Sequence, residues 1–276
     1  MNRREWMTLT GIGGATLVAG CATPTPGGAT GRTLPDFQDP AVNLESIVRV
    51  QGSLREEDVP WWFNGTIYGV VGDSAPRALV RFEGLEIYWF RKLPDGAYQL
   101  GGNTVTFFRD VVTNEMISEF ANPYTGKVNR VQPAVQGGRA GFHYSVKGIR
   151  PMAFKDRMPD VPLRLWWSSV RDSIWMHNET VYPPGMPPPR AQRQTMFNRL
   201  EDFLDPARHN LPTVFASTVF MPWLKWMDME GQTGHVIWHA SGAKIPSIEM
   251  LPAEFLERAR REFPERLSAN PDAWPS

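Results

Sequence analysis

Leu85-Glu86-Ile87-Tyr88-Trp89-Phe90 carries the pattern that decides the fold class. Side chains alternate sides along a strand, so Leu85, Ile87 and Trp89 share one face and Glu86, Tyr88 and Phe90 share the other. The run begins at Ala78, is interrupted near Gly84, and stops at Lys92-Leu93-Pro94-Asp95-Gly96, which is turn chemistry. Working outward, the chain repeats this theme. Short segments rich in β-branched and aromatic residues occupy 47–50, 62–71, 98–100, 104–110, 115–120, 128–135 and 141–148. They continue at 163–170, 174–182, 195–203, 213–220 and 235–240. Gly, Pro, Asn and Asp fall between them, as in Asn122-Pro123-Tyr124-Thr125-Gly126-Lys127, the hairpin turn Arg171-Asp172-Ser173 and the proline loop at 183–189. One segment reads as a helix: Phe255, Leu256, Ala259 and Phe263 recur at helical spacing among Glu and Arg, with Pro252 in the first turn. The expected fold is mainly β, an antiparallel barrel-like domain of calycin type with a C-terminal helix, built as one domain over 44–276.

The N-terminus has a different character. Arg3 and Arg4 precede a short, weakly apolar run that ends in Leu17-Val18-Ala19-Gly20-Cys21. This is the order of an export leader followed by a lipobox, so residues 1–20 are expected to be removed and Cys21 to carry a lipid. Gly11, Gly13 and Gly14 oppose the competing reading, a buried helix. Asn2-Arg3-Arg4-Glu5-Trp6-Met7 resembles a twin-arginine signal, which exports folded domains; an ordinary secretory leader with two arginines is the other reading. Residues 22–33, rich in Thr, Pro and Gly, read as a flexible tether, and 34–43 as an irregular lead-in, so that 21–43 links lipid to domain. The expected location is the cell envelope, on the periplasmic or extracytoplasmic side of a membrane.

Charge and cysteine narrow the function classes. Lys plus Arg number 29 and Asp plus Glu number 29, so no strong field is available to recruit nucleic acid. Cys21 is the only cysteine. The mature body therefore has no disulfide, no thiolate metal ligand and no thiol nucleophile.

Phe107-Phe108-Arg109-Asp110, the Asn122–Lys127 turn and Met221-Pro222-Trp223-Leu224-Lys225-Trp226-Met227 occur in an order that resembles a bacterial family known as domain of unknown function 1838. The resemblance implies export and a single β-rich domain, and it transfers no catalytic residue.

No Gly-x-Ser-x-Gly elbow, His-Glu-x-x-His or phosphate-cradling glycine loop is present. The candidate chemistry therefore rests on histidines and tryptophans. His235 and His239 share a strand face, and so do Trp175, His177, Glu179 and Val181. Convergence of His177, Glu179, His235 and His239 would suit acid–base catalysis or, as a donor set, zinc or iron; hydrogen-bonded structural histidines are the plainer reading. Eleven tryptophans are far above ordinary usage. Core packing accounts for many of them. Trp166, Trp175, Trp223, Trp226 and Trp238 are candidates for the wall of a ligand pocket, with Arg109, Asp110 and Tyr124 at its mouth. A strand-end charge pair and a turn tyrosine are the alternatives for those last three.

The leading functional reading is capture of a small hydrophobic or aromatic molecule in a Trp-lined barrel. The alternatives are an envelope lyase, hydratase or isomerase using histidine as acid or base, and a structural or partner-binding lipoprotein. No cofactor follows from these residues. Replacing Cys21 with Ser is expected to abolish lipidation, which detergent partitioning and intact-mass measurement check; a wild-type protein without added mass at Cys21 contradicts the lipobox reading.

Overall fold

The computed structural model describes residues 33–181 and 191–274. The leader, Cys21, the tether up to residue 32 and the proline loop at 183–189 lie outside them. In chain order the elements are helix α1 (Pro40–Gln51), strands β1 (Val59–Val70), β2 (Arg77–Lys92), β3 (Tyr98–Arg109), β4 (Glu119–Ala121), β5 (Val128–Arg130), β6 (Ala134–Ser145), β7 (Gly148–Pro151), β8 (Trp166–Val170), β9 (Ser173–Val181) and β10 (Ala191–Arg199). A short helix α2 (Leu200–Leu204), strands β11 (Val214–Met221) and β12 (His235–Lys244) and helix α3 (Ala253–Glu262) complete them.

Ten strands form one sheet in the order β7-β6-β3-β2-β1-β12-β11-β10-β9-β8, and β4 pairs only with β5. Every pairing is antiparallel. The expected closed barrel is not what forms. Among the described residues the edge strands β7 and β8 are not bonded to each other, so the sheet is open.

It is nevertheless strongly curled, and α1 is the reason. Gln51 on α1 accepts from the Tyr144 hydroxyl of β6 at 2.8 Å, and Asn43 accepts from Trp167 Nε1 of β8 at 2.9 Å. In a flat sheet β6 and β8, eight strand steps apart, would be separated by about 38 Å. Asn43 and Gln51 are only about 12 Å apart along a helix. The sheet must bend around α1 to reach both. Leu44, Ile47, Val48 and Val50 pack against Phe90 and Leu100 on one side and against Met176 and Met196 on the other.

Residues 47–50 are thus helical, which corrects their reading as a strand, and 40–43 belong to the same helix instead of an irregular lead-in. The β-branched run Ile47-Val48-Arg49-Val50 favours a strand by propensity. Burial of the Leu44-Ile47-Val48 face overrides that preference. The start is set by Asp39, whose side chain accepts from Ala41 N at 2.8 Å, and by Pro40 in the first turn. The end is held by Lys244, whose Nζ donates to Arg49 O, Gly52 O and Asn210 Oδ1 at 2.7–2.8 Å and lies 5.5 Å above the Trp61 ring. All three ammonium protons find acceptors, two of them carbonyls at the helix C-terminus, where positive charge is favoured.

Two further clusters complete the core. On the inner face, at the opposite end from α1, Phe82, Phe108, Ile67 and Val236 pack against Phe120 of β4, Met227 and Met229. The Asn122–Lys127 turn joins β4 to β5, and Asn122 Nδ2 donates to Met227 O at 2.6 Å. On the outer face, α3 lies over Leu85, Ile87, Val105 and Phe107 through Phe255, Leu256 and Ala259. The C-terminal helix is therefore present where the Phe255 to Phe263 spacing indicates.

Glycine shapes the inner wall at Gly84. A Cβ there would lie 2.2 Å from Phe63 Cζ, so the Phe63 ring rests directly on the β2 backbone. Gly84→Ala is expected to cost about 1–3 kcal/mol by displacing that ring. Urea denaturation checks it; an unchanged midpoint contradicts the seating of Phe63.

Candidate functional site

Residue parity along β2 sorts its side chains between two environments. Leu85, Ile87 and Trp89 meet the α3 cluster on the outer face. Glu86, Tyr88 and Phe90 point into the curl, and Phe90 and Tyr88 reach the α1 cluster. Trp61 of β1 pairs with Glu86 on one side and Lys244 on the other, so the three share one inward row. Trp61 itself is buried, its Nε1 donating to Gln51 O at 2.9 Å.

Between the α1 cluster and the Phe82–Phe120 cluster the inner wall is only partly covered, with Tyr88 and Phe215 packed against the first cluster and Phe63 against the second. Phe63, Glu86, Tyr88 and Thr104 on one half and Phe215, Ser217, Gln194 and Asn178 on the other remain half-buried. The inward parity of each follows from the register that links β3, β2, β1, β12, β11, β10 and β9. This half-buried middle between two packed ends is the candidate recess.

Glu86 is the charged group on this wall. Its Oε1 accepts from Thr104 Oγ1 at 3.3 Å, and the Tyr88 hydroxyl also hydrogen-bonds to it. Burial raises its carboxyl from 4.5 to about 6, and the bonds from Tyr88 and Thr104 limit the rise. Burial, and then the Glu86 charge, push the Tyr88 phenol well above its ordinary value, so Tyr88 stays a donor. Among the described residues no Lys, Arg or His pairs with Glu86. Trp238, also inward, packs at a tilt against Phe82 with ring centroids 4.7 Å apart, and its buried Nε1 has no hydrogen-bond partner among the described residues.

The histidines and tryptophans divide differently. His235 and His239 share a face, as parity indicates, but they and His177 point to the outer face instead of into a shared concavity, and they do not converge. His177 on β9 and His239 on β12 are separated by β10 and β11, about 14 Å of sheet. His177 Nδ1 shares a hydrogen bond with Thr195 Oγ1 at 3.2 Å, and burial and Arg193 lower its pKa. Its ring lies 4.5 Å from Trp166 and 6.4 Å from Trp175. Glu179 pairs with Arg193 at 3.0 Å. His239 meets Tyr68, and His235 meets Phe220.

Trp223, Trp226 and Trp238 pack with the Phe82 cluster, away from Trp166 and Trp175. Trp238 adjoins His239 in sequence, so alternation sends the two to opposite faces. Arg109 joins Glu83 at 2.5 Å and Glu254 at 2.7 Å, tying β3 and β2 to α3. Asp110 caps its own turn by accepting from Val112 N and Thr113 N. The Tyr124 hydroxyl donates to Gly69 O at 3.0 Å. Among the described residues no three His, Cys, Asp or Glu side chains group as a metal site.

Glu86, Tyr88 and Thr104 are the residues that the histidine-centred reading misses. The signal is present in the alternation, where Glu86 stands among apolar neighbours of both parities. What is absent from it is the helix that covers the Glu86 face.

A family model described as protein of unknown function (DUF1838) matches residues 56–136 and 190–274. The matched segments contain Glu86, Tyr88, Thr104 and Trp238. No curated protein matches the chain. Among solved structures, a LolA superfamily protein from Nitrosomonas europaea aligns at 8% identity and a TM-score of 0.20, covering 81% of this chain and 98% of that one. A likeness of that size carries no argument.

Because Glu86 titrates higher in the folded chain than in the unfolded one, the stability it contributes is present below pH 4.5 and lost as pH rises through about 6. Glu86→Gln is therefore expected to stabilise the protein by about 1–2 kcal/mol at pH 8, and the gain should vanish by pH 4. Denaturation series across pH check this; parallel profiles for variant and wild type contradict it.

Proposed function

The chain belongs to the family described as protein of unknown function DUF1838, and on its own side chains we propose that it captures a small, largely apolar molecule bearing an amine or similar N–H donor in the recess of the curled sheet. The observation that carries this reading is Glu86: an inward carboxylate with no cation beside it among the described residues, set between aromatic walls. A sheltered carboxylate without a partner costs free energy. A cationic guest recovers that cost through a charge-assisted hydrogen bond in a low-dielectric site. Phe63, Tyr88 and Phe215 supply flat apolar area.

On this reading a lipid at Cys21 tethers the domain to a membrane of the cell envelope, and twin-arginine export delivers it folded. A second reading places a lyase, hydratase or isomerase in the same recess. It is favoured by the Glu86 value of about 6, near that of a working general base, beside Tyr88, which remains a proton donor. In that version the acid–base pair is Glu86 and Tyr88, and the histidines take no part.

Titration calorimetry with tryptamine and indole-3-acetate, which share a ring and differ in charge, tests the capture reading. Tryptamine is expected to bind at pH 7.5, to weaken as pH falls through about 6, and to lose about tenfold or more in affinity in Glu86→Gln. Equal binding of the two ligands, or no binding of either, contradicts it.

A further inference from the structure

We propose that the outer face of the sheet carries a separate binding site, a trough for a neutral polyhydroxylated chain of the oligosaccharide class. Long charged side chains ordinarily cover the solvated face of a sheet. Here two adjacent cross-strand rows are built from short ones. Asn64, Ser241, Ala216 and Thr195 form one row across β1, β12, β11 and β10. Thr66, His239 and Thr218 form the next, which ends on β10 at the long side chain of Arg193. The row on one flank is taller, with Tyr68, Ile237 and Phe220; on the other flank Trp62, Phe197 and Trp175 rise at the two ends of a row whose middle is Ala243 and Val214. The short floor beside these taller groups makes a shallow trough, and the concavity bounded by the floor residues with Tyr68 and Arg193 measures about 460 Å³.

The chemistry of the floor selects the occupant. Hydroxyl, amide and imidazole groups both donate and accept, which matches alcohol groups that do the same. Arg193 is neutralised by Glu179 in the same cross-strand row, and the lowered pKa of His177 keeps it uncharged at neutral pH. A polyanion such as nucleic acid would need unpaired cations that the trough does not offer. One end carries an aromatic platform. His177 bonds to Thr195 at 3.2 Å, and Trp166, 59% exposed, lies tilted against His177 with ring centroids 4.5 Å apart. Such an exposed indole suits the C–H side of a sugar ring. From Asn64 to Trp166 the row spans five strand steps, about 24 Å, the reach of a chain longer than a single sugar.

Titration of the full chain with cellohexaose, maltohexaose and chitohexaose, followed by calorimetry and tryptophan fluorescence, tests the proposal. At least one of the three is expected to bind with Kd of about 1 mM or tighter. Thr218→Lys, which lays a long cation across the floor, and Trp166→Ala should each weaken that binding by about fivefold or more. Unfolding midpoints should not move, because both side chains lie on the outer face. Glu86→Gln, on the inner face, should leave the binding unchanged. Failure of all three oligosaccharides to bind overturns the proposal, as does binding that neither variant alters, or tighter binding of heparin at the same salt concentration.

Discussion

The burial of α1 inside the curl is the constraint on which the rest of the structure depends. A twelve-residue helix touches strands at both ends of a ten-stranded order, and the sheet can satisfy both contacts only by bending. Its polar residues make the arrangement specific. Asn43 receives Leu165 N and Trp167 Nε1 from the β8 side, Gln51 receives Tyr144 from the β6 side, and Lys244 closes the C-terminal carbonyls. Lys244 titrates well below its ordinary value because burial disfavours its charge. Its three hydrogen bonds and the Trp61 ring are what make a buried ammonium tolerable there.

That bend gives the two faces of one sheet different tasks. Inward residues at the two ends are packed by α1 and by the β4–β5 hairpin, and those in the middle stay half-open. Outward residues over β2 and β3 are packed by α3, while those over β1, β12, β11 and β10 meet solvent. A carboxylate at inward parity becomes sheltered, as at Glu86. A histidine at outward parity becomes a hydrogen-bonded surface group, as at His177.

Much of this was legible residue by residue. The strand alternation of Leu85 to Phe90, the hairpin at Arg171 to Ser173 and the helix through Phe255 follow from local pattern, because local sterics and turn chemistry produce them. That His235 and His239 share a face, and His177 and Glu179 another, follows from the period of a strand; that both faces are outward does not. Convergence of the histidines required β9 and β12 to be neighbours, and strand order is a long-range property that no local period encodes. Barrel closure failed for the same reason. At α1 the local signals conflict: β-branched Ile47, Val48 and Val50 favour a strand, while Asp39-Pro40 carries a helix-start signal. The alternation groups Glu86 with Tyr88 and Phe90, but that this face is the inner one depends on α1 covering it.

Native mass spectrometry of protein purified from its own cells tests the central claim, that the inner recess holds a guest, most directly. The account predicts a bound small molecule that leaves on gentle activation and is retained poorly by Glu86→Gln. A bare polypeptide mass for the wild type, or an adduct retained equally by both proteins, would contradict it.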